Sequence, residues 1–206
     1  AGPRKQLDYW KSADQNSRVN SRLAKSLEFS LPVELSHDQR LALAREFCTR
    51  AATTSTGEPL PFVMAVHHGG ALALNPHVHV LLSQKIWDGH NRSPELWFSR
   101  AALKGKKPES GGARATNDMR PRDWLLATRE LLARLTNEAL AAAGFTARVD
   151  HRSLAAQGIE RVTGVHLGPA AAARRRRGAH SRRAEDLAEE RAAEASTRGL
   201  IAELQR

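Results

Sequence analysis

From Leu27 to Leu35 the chain alternates apolar and polar residues, Leu-Glu-Phe-Ser-Leu-Pro-Val-Glu-Leu, the period-two signature of a half-buried strand. Pro32 marks an edge position or the strand's end, since it lacks the N–H a ladder needs, and Glu28 and Glu34 fall on the same non-core face. Residues 10–26 carry helix formers, with Leu23 and Leu27 four apart, so a helix is expected to lead into this strand. After it, Ser36 stands at an N-cap position, and Leu41, Leu43, Ala44 and Phe47 repeat at helical spacing through 38–50.

A polar stretch, 53–61, leads into Phe62–His68, and a glycine-containing loop separates this from Pro76–Gln84, where the order is His-Val-His-Val-Leu-Leu. Two neighbouring antiparallel strands are predicted. Residues 88–122 are rich in Gly, Lys, Arg, Ser and Pro, with Trp97 and Phe98 embedded, and predict a long mobile loop. Trp124, Leu125, Leu131, Leu132, Leu135 and Leu140 lie on a helical repeat that Gly144 can terminate. Ala147–His151 is a short strand candidate, and an Ala/Glu/Arg-rich end predicts a solvated helix over about 182–206.

These elements predict an α/β (α+β) fold with a central, mainly antiparallel sheet, helices on one face and a C-terminal helical element. The expected division is a core over 1–170 and a basic, charged tail over 171–206.

Composition narrows the partners. Lys and Arg total 32 against 22 Asp and Glu, a formal charge of +10 with a pI near 10.7, which points to a polyanion such as nucleic acid. The single cysteine, Cys48, excludes an intrachain disulfide and a multi-cysteine zinc site, and is compatible with a reducing compartment. No apolar run approaches the roughly 20 residues of a membrane span, and the charged start has no signal-peptide core, so a cytoplasmic protein is expected. The chain opens Ala-Gly-Pro without a methionine, and further residues are expected to precede it.

The informative chemistry is histidine. His77 and His79 are two apart on a predicted strand and share a face, while Val78 and Val80 take the other. If the two strands pair, His67 converges on them, and three neutral imidazoles can hold a divalent metal with coordination positions left open. A lone histidine is more often a hydrogen-bonded surface or core residue. His68 points the other way, and His90, His166 and His180 lack comparable company.

Asn75-Pro76-His77-Val78-His79-Val80 resembles the histidine motif of the MobA/MobL relaxases, plasmid-mobilisation members of the HUH endonucleases. The resemblance extends through Asp8-Tyr9-Trp10, the 27–35 strand, Trp97-Phe98, Arg148 to Leu154, Gln157 to Arg161 and Val165 to Pro169, in collinear order over about 8–170. It implies a relaxase that binds single-stranded DNA at a plasmid transfer origin. In that family a tyrosine attacks the scissile phosphodiester, leaving a 5′-phosphotyrosyl link and a free 3′ hydroxyl, and later reseals the strand. The resemblance assigns the metal to His67, His77 and His79. It matches Glu28 and Glu34 to acidic positions near the active centre that orient a ligand or the nucleophile. It also implies magnesium or manganese, with manganese first, although imidazole donors by themselves prefer later metals such as zinc or nickel. Accessory relaxosome proteins and a coupling protein are the implied partners.

The family places its nucleophile in a segment preceding the matched blocks, and that segment is expected upstream of this sequence. Tyr9, the sole tyrosine, aligns instead with a packing tyrosine and reads as a structural aromatic. For the DNA surface, Lys104, Lys106, Lys107, Arg114, Arg120 and Arg122 can track phosphates, and Trp97 offers either a stacking surface or a core anchor. Arg152 and Arg161, in the second matched block, extend the basic surface, with Arg174 to Arg177 just beyond. A non-catalytic origin-binding module and a replication-initiator HUH protein are the alternative readings.

Overall fold

The computed structural model describes residues 3–67 and 75–160, and beyond them positions 168, 170, 173, 174, 177, 178, 182, 185, 186, 188, 189, 192 and 193. His68, Arg161 and most of the expected 182–206 helix lie outside the described residues. The chain forms two compact units, Ala1–His151 and Arg152–Arg206, so the expected boundary near 170 falls inside the second.

In the first unit the order is α1 (Pro3–Asn16), β1 (Ala24–Ser30), α2 (His37–Ala51), β2 (Phe62–His67), β3 (His77–Ser83), α3 (Pro94–Phe98) and α4 (Arg122–Ala142). The fold is α+β. Its three strands form one antiparallel sheet in the order β1-β3-β2, which puts the histidine-bearing strand in the centre.

Period-two alternation decides what each face does. Phe29, Val78, Val80 and Leu82 point to one side and are almost completely buried. There they meet Leu43, Phe47 and Cys48 of α2 and Leu135 and Leu140 of α4 in the main core, with the Phe29 and Phe47 rings edge-on at 4.6 Å. Ser36 caps α2 reciprocally: its hydroxyl accepts from Gln39 N, and the Gln39 side chain accepts from Ser36 N at 2.8 Å, which satisfies two otherwise orphan donors. Gly144, at φ 82°, ends α4 in the left-handed region where a side chain is disfavoured.

Four expectations change. The first helix ends at Asn16, and Leu23 and Leu27 belong to a connection and to β1. β1 stops at Ser30, because Pro32 cannot continue the ladder, so Glu34 sits in the following turn instead of on the strand face with Glu28. Residues 147–151 form no strand. Instead Asn137 on α4 imitates a strand partner, its amide donating to Val149 O at 2.9 Å and its carbonyl accepting from Val149 N at 2.8 Å.

The fourth change concerns 88–122, which is an ordered structure. Trp97 and Phe98 are buried with Ala13 and Ala113 in a second cluster, against Tyr9, Trp10 and Leu23. Arg92, whose side chain is 1% exposed, ties the segment together. It forks onto Asp88 at 2.7 and 2.8 Å, donates to the carbonyls of Pro108 and Gly111, and lies 5.5 Å from the Trp97 ring centre. Gly111 and Gly112 are required here, since a Cβ on either would collide with the backbone of Ala102 or Ser99.

Candidate metal centre and nucleic-acid surface

The sheet register brings the three histidines together. His77 of β3 stands opposite His67 of β2, and His79 stands opposite Ala65 on one side and Glu28 on the other. Directly opposed residues share a face, so all four polar side chains emerge from the side that lacks the main core. The imidazole centres are 4.9 to 5.0 Å apart in all three pairs. One ring nitrogen from each can be chosen so that all lie within 4.8 Å of one another. An ion bound about 2.1 Å from each nitrogen draws its ligands to about 3.4 Å apart, a distance that small side-chain rotations supply.

Two neighbours orient the rings. His77 Nδ1 lies 2.8 Å from the carbonyl of Asn75. A carbonyl only accepts, so Nδ1 carries the hydrogen and the neutral ring keeps the Nε2 lone pair for a metal. His79 Nδ1 is 3.8 Å from Glu28 Oε2, just beyond hydrogen-bond range. A carboxylate behind a histidine is the usual outer partner of a metal ligand. Glu28 thus stands beside the cluster, whereas Glu34 lines a separate cavity with α4 and residues 147–151.

Neither other reactive group reaches the histidines. Tyr9 packs edge-on against Trp10 and Phe98, each at 5.2 Å, and its hydroxyl bonds Ser83 Oγ at 2.7 Å. Burial pushes its pKa up, and the weaker opposing effect of the Ser83 bond does not cancel this. Ser83 is four residues along β3 from His79, about 14 Å at strand rise. The Cys48 thiol, fully buried under α2, is pushed up to about 12 by desolvation and stays protonated.

Comparison with known proteins gives the family. The sequence model of the MobA/MobL family matches residues 4–177. The chain belongs to the MobA/MobL family. It is similar to Mobilization protein A of Escherichia coli, 51% identical over 162 residues, which is 79% of this chain and 22% of that protein. It is also similar to a 43 kDa relaxation protein of Salmonella typhimurium, 34% identical over 76% of this chain and 43% of that protein. This MobA/MobL chain therefore spans less than half the length of either relative. A solved structure described as "Molecular Basis of Vancomycin Resistance Transfer in Staphylococcus aureus" shares its fold, with a TM-score of 0.52, 22% identity, and coverage of 70% of this chain and 65% of that one.

The basic residues of this MobA/MobL chain are less concentrated than their spacing suggested. Lys104, Lys106 and Lys107 project from an exposed turn, and Arg120 and Arg122 are exposed beside the start of α4. Arg114 is exposed too, yet it forms an ion pair with Glu58. Arg152 opens the second unit, and Arg161 is outside the described residues. Trp97 is 6% exposed and serves as the core anchor, so it offers no face for a base. The exposed tryptophan is Trp87, with its ring 5.1 Å from that of Trp97. Sequence reasoning missed it, although its place just past the end of a strand was a usable signal. Among the described residues no helix is long and apolar enough to cross a membrane.

Proposed function

We propose that this chain is the metal-binding core of a plasmid-mobilisation relaxase, which seats a phosphodiester of single-stranded transfer-origin DNA over His67, His77 and His79. The observation that carries this reading is the cross-strand histidine cluster on an open face, with His77 Nδ1 held by Asn75 O and Glu28 behind His79. When bound, a divalent ion, manganese or magnesium with zinc as the alternative, stabilises charge on the phosphate oxygens. The protein's part is to present three lone pairs in one place while the opposite sheet face keeps the strands rigid. Glu28 is the positioning residue that restrains the His79 ring.

In the whole protein the reaction is a transesterification. A tyrosine hydroxyl gives up its proton as its oxygen bonds to phosphorus, the bond from phosphorus to the 3′ oxygen breaks, and the leaving oxygen takes a proton. Its reversal reseals the strand without an external energy source. Tyr9, half-buried and bonded to Ser83, is a packing residue in this scheme. Accessory relaxosome proteins and a coupling protein are the proposed partners.

The test is to titrate manganese into the chain, with and without a labelled origin-strand oligonucleotide, for wild type and His77→Ala. Stoichiometric metal binding that His77→Ala weakens at least tenfold, with DNA affinity raised by the metal, is the expected result. Metal binding that His77→Ala leaves unchanged would sink the proposal. A covalent protein–DNA band on a denaturing gel would transfer the nucleophile's role to Tyr9.

A further inference from the structure

A second polar feature lies past the Ser83 end of β3, away from the histidines. A cleft of about 320 Å³ is lined by Arg18 and Arg22 from the α1–β1 connection, Lys85 just after β3, Arg100 just after α3, and Arg120 ahead of α4. Among the described residues that line it there is no Asp or Glu. None of the four arginines forms an ion pair among the described residues, in contrast to Arg92 and Arg114 nearby. Four separate segments of the chain, far apart in sequence, thus deliver five cations to one concavity.

Lys85 gives the cleft a fixed floor. Its ammonium donates to Ser99 O at 2.9 Å and to Ala113 O at 2.7 Å, which uses two of its three hydrogens. Its pKa is pulled down, first by burial and then by the Arg18 and Arg92 charges. An anion in the cleft would offset that repulsion. The volume equals that of about ten waters, enough for a phosphate with part of its sugar.

We propose that this cleft grips a backbone phosphate of the bound DNA several nucleotides away from the phosphate at the histidines. The inference rests on the reading that the histidine face holds DNA, and it adds a second anchor. His79 and Ser83 are about 14 Å apart along the strand, so one DNA strand must run along the sheet to occupy both places. Two anchors on one strand fix its direction as well as its position, which a metal contact alone does not.

The experiment is anisotropy of a fluorescein-labelled dT oligonucleotide, measured over a series of salt concentrations. It compares wild type with Arg22→Ala/Arg100→Ala and with Arg18→Gln/Arg120→Gln. Arg45→Ala/Arg134→Ala, on the helices behind the sheet, removes the same charge elsewhere and serves as control. Each phosphate contact contributes about 0.7 to the salt slope on single strands. With one phosphate held, either cleft pair is expected to lower the slope by up to about 0.7 while the control leaves it unchanged. All the arginines are exposed, and thermal melting checks that each variant is folded.

A cleft pair that behaves like the control overturns the inference. Stabilisation of wild type by inorganic phosphate alone, with an unchanged DNA slope in the variants, also overturns it in favour of a free anion. If the wild type binds no DNA, this inference falls together with the reading it rests on. If DNA and histidine-dependent metal binding persist while the slopes match, only the cleft assignment fails.

Discussion

Val78, Val80 and Leu82 are at most 1% exposed, whereas His77 and His79, interleaved with them on the same strand, stand on a face open to solvent. The two sets see the same backbone ladder and differ only in which way the pleat turns them. The buried set meets two helices whose apolar stripes cover it completely. Among the described residues the histidine rings meet one another across the strands, with their centres about 5 Å apart. One strand therefore carries both the stability of the sheet and its candidate chemistry, and the two should be separable by mutation.

The largest expected effect lies on the buried face. Leu82→Ala should cost about 2–5 kcal/mol of folding stability, because a fully enclosed site cannot collapse around the missing carbons. His79→Ala, on the open face, should change stability by less than about 0.5 kcal/mol while removing a proposed metal ligand. Denaturant unfolding of both variants, each with a metal titration, measures the separation. A His79→Ala chain as unstable as Leu82→Ala would mean that the histidine face is structural.

A subtler contrast concerns Glu28. Removing its charge as Glu28→Gln should weaken metal affinity about 10- to 100-fold, the usual effect of losing an outer partner, with the melting temperature nearly unchanged. Its counterpart Glu34, off the strand, should show no effect on metal affinity when changed to Gln. Competition with a chelating dye reads both, and equal effects would contradict the placement of Glu34 beside another cavity.

The smallest effect is a pH dependence away from both faces. Asp118 accepts from Ser55 N at 2.7 Å and from the Ser55 hydroxyl at 2.9 Å, and these bonds hold its pKa below the ordinary 3.8. Its contribution to stability is then present above the unfolded-state value and disappears as pH falls from there through the lower folded value. Asp118→Asn should remove this part of the acid loss. Acid unfolding followed by circular dichroism tests the sign, and an unchanged curve would mean that the Ser55 bonds contribute nothing measurable.

The histidine cluster was legible because spacing of two on a strand has a single geometric meaning, and because Phe62–His68 and Pro76–Gln84 carried strong strand patterns. The α2 cap and the end of α4 were equally local matters. Glu34 misled because the alternation continues past Pro32, while the ladder needs an N–H that proline lacks. Residues 88–122 misled for another reason: their polarity is real, yet a single arginine, Arg92, satisfies a set of carbonyls and one carboxylate that composition cannot pair. Trp97 and Phe98 then become a core of their own with α1, which a window along the chain has no means to detect.

The sequence by itself determined the local periods, and with them the alternation that sends His77 and His79 one way and Val78 and Val80 the other. Only the tertiary structure decided which strands are neighbours, and hence that Glu28 stands behind His79 and that His67 completes the cluster. It alone also gathered Arg18, Arg22, Lys85, Arg100 and Arg120 around one cleft. The physical reason is range: backbone geometry sets the direction of a side chain within two to four residues, whereas cross-strand pairing and packing between distant segments depend on how the whole core closes.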